Sequence, residues 1–268
     1  MSVYLNASNS ADAWLKIMDY LMNGAKEGKC FHLVTTISDP AYEDKEITRI
    51  VDLLARETNS KSPMENANSI WPHVLAPPSQ SLEETMAKMA KLAASTMKEA
   101  NPRHSDSYIE RLVAWRSKDG GERIPQLEKI INRMCTEITN GAPKSSSYEL
   151  SIFSPGLDAG YMSFPCLSHL SFKLDSELKQ IHLTAIYRNH HFVSHGYGNF
   201  LGLGRLMKFV ARQVGCNVGE LMSVSTHADA ELNRGKTRIR KRLEDIRSIL
   251  HAKGTQRDIA KEPVVSPG

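Results

Sequence analysis

Four cysteines and a cluster of histidines are the residues of this chain whose chemistry goes beyond packing. Cys30, Cys135, Cys166 and Cys216 lie far apart with no C-x-x-C pair, so neither a disulfide framework nor a cysteine zinc site is expected. Cys166 stands out by its setting: it follows Pro165 and opens CLSHLSFKL (166–174), a run that alternates like a strand. Regular alternation puts Cys166, Ser168, Leu170 and Phe172 on one face and Leu167, His169, Ser171 and Lys173 on the other. Two readings stay open at this level, an inert core thiol and a nucleophile. Arg188 ends the next run, KQIHLTAIYR (179–188), and hairpin pairing would bring this cation beside the thiol, where it would lower the thiol pKa. His190, His191, His195 and His227 do not suggest one metal site, because neighbours on a strand point to opposite faces. His191 and His195 are candidates for acid/base work, since imidazole titrates near neutrality.

The elements that must hold these residues follow from period and punctuation. Asn9 or Ser10 caps a helix carrying Trp14, Ile17, Met18 and Leu21, which Gly24 ends. CFHLVTTI (30–37) reads as a buried strand, and residues 44–57 as an amphipathic helix with Ile47, Ile50, Val51 and Leu54 inward. Residues 59–80, rich in proline and asparagine, read as a long surface connection, a possible lid. Ser81 and Glu84 announce a further helix by capping-box spacing. Short helices follow at 108–115 and after Pro125, then strands at 148–154, 166–174 and 179–188, the last two joined by a tight turn. GYGNFLGLG (196–204) lacks the lysine of a phosphate loop and reads as entry to a helix ending near Val214. One more strand (217–225) and a charged helix from about Asp229 to Ala252 complete an α/β fold, a largely antiparallel central sheet flanked by helices. It forms a single domain over 1–252 with a disordered tail at 253–268.

Net charge is +4, but RGKTRIRKR (234–242) holds six cations in nine positions. Ile239, Leu243, Ile246 and Leu250 recur behind them at helical spacing, so a solvated helix face is the expectation and nucleic-acid binding the lesser alternative. No basic leader precedes an apolar stretch and no apolar run reaches membrane-spanning length, so a cytoplasmic protein with no membrane association is expected.

The order FHLVTT (31–36), PC (165–166), Arg188, Asn199 eleven positions later, VGEL (218–221) and TH (226–227) resembles the thymidylate synthase family of pyrimidine C5 transferases. The likeness is dense from Cys166 to Val218 and thin before residue 145. It implies that Cys166 adds to C6 of a pyrimidine, that Arg188 holds the phosphate and activates the thiol, and that Asn199 reads the N3–H and O4 edge of uracil. His227 would bond the sugar hydroxyl, with Asp229 standing where the family has a tyrosine. A homodimer joined through its sheets, a pyrimidine nucleotide or nucleoside as substrate and 5,10-methylenetetrahydrofolate as donor are also implied. The departures are specific. Ser146 and Ser147 replace arginines that family members lend to the partner's phosphate site, and His191 replaces an aspartate that contacts folate. The family's glutamate falls near Arg49, with Asp52 or Glu57 as possible substitutes. The implied function is transfer of a methyl or hydroxymethyl unit to C5, with a non-catalytic pyrimidine-nucleotide sensor as the alternative.

Overall fold

The computed structural model describes residues 2–99, 107–116, 122–141, 145–156, 158 and 165–259. The first strand, β1 (Val3–Asn9), runs straight into α1 (Ser10–Asn23). Asn9 makes the transition by accepting the Ala11 and Asp12 N–H groups on its side-chain oxygen (3.0 and 3.1 Å), a cap contributing about 1 kcal/mol. Next come β2 (Lys29–Asp39) and α2 (Lys45–Glu57), the latter capped by Asp44. Residues 59–80 are not a surface connection. Ser62 and Glu65 form a capping box over Pro63 and start α3 (Pro63–Ile70), whose Asn66, Ala67 and Ile70 are buried. Helices α4 (Leu82–Glu99), α5 (Tyr108–Val113) and α6 (Gln126–Thr139) follow, with Ser81 and Glu84 making the reciprocal cap expected of them.

The second half supplies β3 (Glu149–Ser151), β4 (Leu167–Asp175), β5 (Gln180–Tyr187), the two-residue β6 (His190–His191), α7 (Tyr197–Val214), β7 (Asn217–Asp229) and α8 (Lys236–Ile259). One sheet runs β1-β2-β7-β5-β4-β3, with β6 also against β7. Strands β2–β7, β4–β5 and β3–β4 pair antiparallel. Strands β1–β2, β5–β7 and β6–β7 pair parallel, α1 and α7 serving as crossovers of the first two. The expected α/β architecture, a central sheet flanked by helices, is therefore what the chain adopts; strand pairs of the two kinds are equal in number, but the antiparallel ladders pair more residues. The charged C-terminal helix differs in extent: β7 continues to Asp229, and α8 begins at Lys236 and runs past Ala252 to Ile259. The rest of the expected tail lies outside the described residues.

Helix α7 is the axis of the site, and its glycines set its depth. A Cβ on Gly202 would stand 2.8 Å from the Ala67 carbonyl oxygen, and one on Gly204 1.9 Å from that of Pro40. The glycine pattern therefore records the close seat of α3 and of the turn after β2, and the phosphate-loop alternative has no place there.

Candidate functional site

Hairpin pairing of β4 with β5 joins Cys166 to Arg188. The Arg188 N–H donates to the Cys166 carbonyl (3.0 Å), and its Nε and Nη2 donate to the Pro165 carbonyl (2.9 and 2.7 Å). The guanidinium also lies 5.3 Å from the centroid of Phe153. Alternation at this point is not regular: a bulge at Ser168 makes Leu167 pair with Tyr187 and His169 with Ile186. Leu167 consequently joins Leu170 and Phe172 in the core, and Cys166 stays half-buried at the strand's mouth.

Electrostatics at the thiol correct the simplest expectation. Burial pushes the Cys166 thiol up, and Arg188 offsets only part of that rise. Nor is a neighbouring cation peculiar to Cys166, because Lys179 acts in the same sense on Cys216. Tyr108 lies beside Cys166, its hydroxyl pushed up to about 12 chiefly by burial, and accepts the Leu167 N–H (3.4 Å).

From Tyr187 a buried polar chain leads to Asn199. The Tyr187 and His190 rings stack with centroids 4.0 Å apart; His190 Nδ1 is 2.9 Å from Ser225 Oγ, and His190 Nε2 is 3.2 Å from Asn199 Nδ2. Burial drives the His190 pKa down to about 3, with His195 and His191 adding to it, so the ring is neutral and offers one donor and one acceptor. Cys166, Arg188 and Asn199 thus gather at one end of β5.

A second chain covers the same end. Thr226 donates its hydroxyl to the Arg188 carbonyl (2.9 Å), Asn189 Oδ1 stands 2.7 Å from His227 Nδ1, and Asn189 Nδ2 stands 2.9 Å from His191 Nε2. His191 Nδ1 is buried without a hydrogen-bond partner among the described residues, 3.9 Å from the buried carboxylate of Glu231. Asp229 pairs with His191 across β6–β7 but turns its carboxylate to the Glu231 N–H (2.7 Å) and Lys29 (3.6 Å). His195 is exposed in the single π turn (Phe192–Gly196) ahead of α7, with Nδ1 2.6 Å from Ser194 Oγ. Sequence reasoning missed Asn189, Ser225 and Glu231 and weighed His190 only as a metal ligand, because only the β5–β7 and β6–β7 registers bring them together.

The proposed substitutes for the missing glutamate are spent elsewhere. Asp52 pairs with Arg56 (2.7 Å), and Glu57 is held by Arg242. Arg238 donates to the Glu57 carbonyl (2.8 Å) and Arg234 to the Glu231 carboxylate (2.7 Å), so much of the 234–242 charge closes α8 onto the body. Lys236, Arg240 and Lys241 face solvent. No described helix is long and apolar enough to cross a membrane.

No protein-family profile matches this chain. It is 25% identical over 224 residues, 84% of its own length and 87% of the relative's, to a "Putative thymidylate synthase" of Methanosarcina mazei. A protein of the same name from Methanosarcina acetivorans is 23% identical over the same shares. One from Methanococcoides burtonii is 29% identical over 123 residues, 45% of this chain and 51% of that protein. The chain is therefore similar to proteins carrying that name, at low identity.

Proposed function

We propose that this chain transfers a one-carbon unit to C5 of a pyrimidine nucleotide or nucleoside through a covalent adduct at Cys166. The observation that carries the reading is the convergence of Cys166, Arg188 and Asn199 at one end of β5. The Cys166 thiolate adds to C6, and the electron pair of the C5–C6 double bond moves toward C5 and O4. Asn199 stabilises the charge on O4 through an N–H while its oxygen accepts N3–H. Its other N–H donates to His190, an arrangement that suits a 4-oxo ring. C5 then bonds to the one-carbon unit as the bond to its carrier breaks, and loss of the C5 proton to a base, with His191 the candidate, returns the electrons and expels the thiolate. The conjugate acid of that base keeps the proton.

5,10-Methylenetetrahydrofolate fits this site at one point, the buried and unpartnered Nδ1 of His191, which could hold a polar edge of its ring. When bound, it would supply the one-carbon unit. The chain acts in the cytoplasm as a homodimer, a second copy covering the sheet face that carries Val34, Ile186 and Val224.

The raised Cys166 thiol favours a second reading, a pyrimidine sensor that binds without turnover. Intact-mass measurement after incubation with 5-fluoro-pyrimidine nucleotides and folate separates the two. An adduct lost in Cys166→Ala supports transfer. Binding without added mass supports the sensor, and no binding removes both.

A further inference from the structure

We propose that the groove between the C-terminal half of α7 and the segment 71–78 is a binding site for a small molecule with an anionic head and an apolar body. The groove holds about 540 Å³, within the roughly 300–1,000 Å³ of small-molecule sites. It lies at the opposite end of the sheet from Cys166. Val218, in its wall, pairs with Ile181 at the start of β5, whereas Arg188 follows the end of that strand, about 20 Å away at ~3.3 Å per residue. This inference is independent of the pyrimidine reading.

Arg205, Lys208 and Arg212 line the groove at helical spacing, and Glu43 is the one carboxylate among its described lining residues. Glu43 is engaged by Arg205 in a two-point ion pair (2.7 and 2.8 Å), and Arg205 also reaches Asn68 Oδ1 (3.3 Å). Burial works against the charge on Glu43, but the Arg205 bond and the surrounding cations outweigh it and lower the pKa. That leaves Lys208 and Arg212, one turn apart on the same face. Lys208 is exposed and makes no hydrogen bond with a described residue. The Arg212 guanidinium lies 5.4 Å from the Phe209 ring centroid and gives Nη2 to the Ala76 carbonyl (3.1 Å), while its Nε is buried without a partner among the described residues.

Two like charges at this spacing cost a few tenths of a kcal/mol, and a buried donor left unpaired costs about 1–3 kcal/mol. An anion seated between Lys208 and Arg212 offsets the first of these, the repulsion between the two cations. Ala76, Pro77, Pro78 and Val218 offer the apolar wall for its body. Arg212, braced on Phe209 and Ala76, presents its planar fork with little entropy left to lose, which suits a phosphate or carboxylate head.

Amide NMR titration of the full chain with phenyl phosphate, inorganic phosphate and phenol tests the site. Phenyl phosphate should shift Ala76, Cys216 and Val218 saturably and bind at least tenfold more tightly than inorganic phosphate or phenol. Lys208→Glu, at an exposed position, should keep the fold and weaken binding at least tenfold, and Arg212→Gln should do likewise. Absence of saturable shifts in the groove, shifts confined to the Arg188 end, or affinity unchanged in Lys208→Glu would overturn the proposal.

Discussion

Arg188 meets Cys166 through the backbone before it meets it through charge, since its guanidinium is tied to the Pro165 carbonyl. Burial keeps the thiol protonated at neutral pH, so its reactivity should climb as pH rises toward and beyond the ordinary thiol range. Arg188→Gln removes the one contribution that lowers this pKa and should slow iodoacetamide labelling of Cys166 at pH 8. Equal labelling rates in the two proteins, measured by peptide mass spectrometry, would remove Arg188 from thiol activation. His190 gives a stability prediction with a definite sign. Its folded pKa of about 3 lies below the ordinary histidine value, so its stabilising contribution is complete above pH ~6.5 and is lost as pH falls from there toward 3. The loss is on the order of 5 kcal/mol at ~1.4 kcal/mol per pKa unit. His190→Gln should be less stable at pH 7 but show a flatter decline in urea-measured stability between pH 6 and 4. A parallel decline would place the acid sensitivity elsewhere. Cys166, Arg188 and Asn199 were legible because a family resemblance marks them. Glu231 was not, because its importance comes from a positive φ of 52° and from bonds to Ser194 and Arg234 that no local pattern announces.

Among the elements, those with strong punctuation were legible. Asn9 and Asp44 cap where their side chains and the apolar period agree, and β2 is a β-branched run. Helix α3 was missed because eight residues with two asparagines carry too little period, and Pro63 reads as a breaker unless recognised at a helix's first turn. β1 was missed because its exposed, polar positions hide a partner strand distant in sequence, Val3 facing Leu33. The seat of α3 and β2 on α7 offers a test. Gly204→Ala would drive a Cβ into the Pro40 carbonyl, a backbone atom that cannot rotate away, and should cost about 1–3 kcal/mol. Denaturant unfolding should show this as a lower midpoint with an unchanged slope; a midpoint within error of the parent would mean that the turn shifts freely.

At the scale of the whole molecule, the sheet buries one face under the helices and leaves the other with a row that no alternation rule explains by itself. Val34 pairs with Val224 and Val224 with Ile186, and the next row pairs Thr36, Met222 and Thr184. Val34, Val224, Ile186 and Met222 are half-buried in a single chain, and a second copy is the proposed cover. Ile186→Lys would set a charge in the middle of that interface, where an unpaired buried cation is costly, and should convert a dimer to a monomer in sedimentation velocity. The consequence for the site follows from the turn Ser145–Ser147. Its serines carry no charge to lend a partner, so under the proposed reading a nucleotide's phosphate would draw on Arg188 alone among the positions that the resemblance marks. Monomeric Ile186→Lys should therefore keep its affinity for a pyrimidine nucleotide within about threefold, ~0.7 kcal/mol, when calorimetry is run above and below the dimer's dissociation range. A loss of tenfold or more would show that a residue of the second copy completes the site.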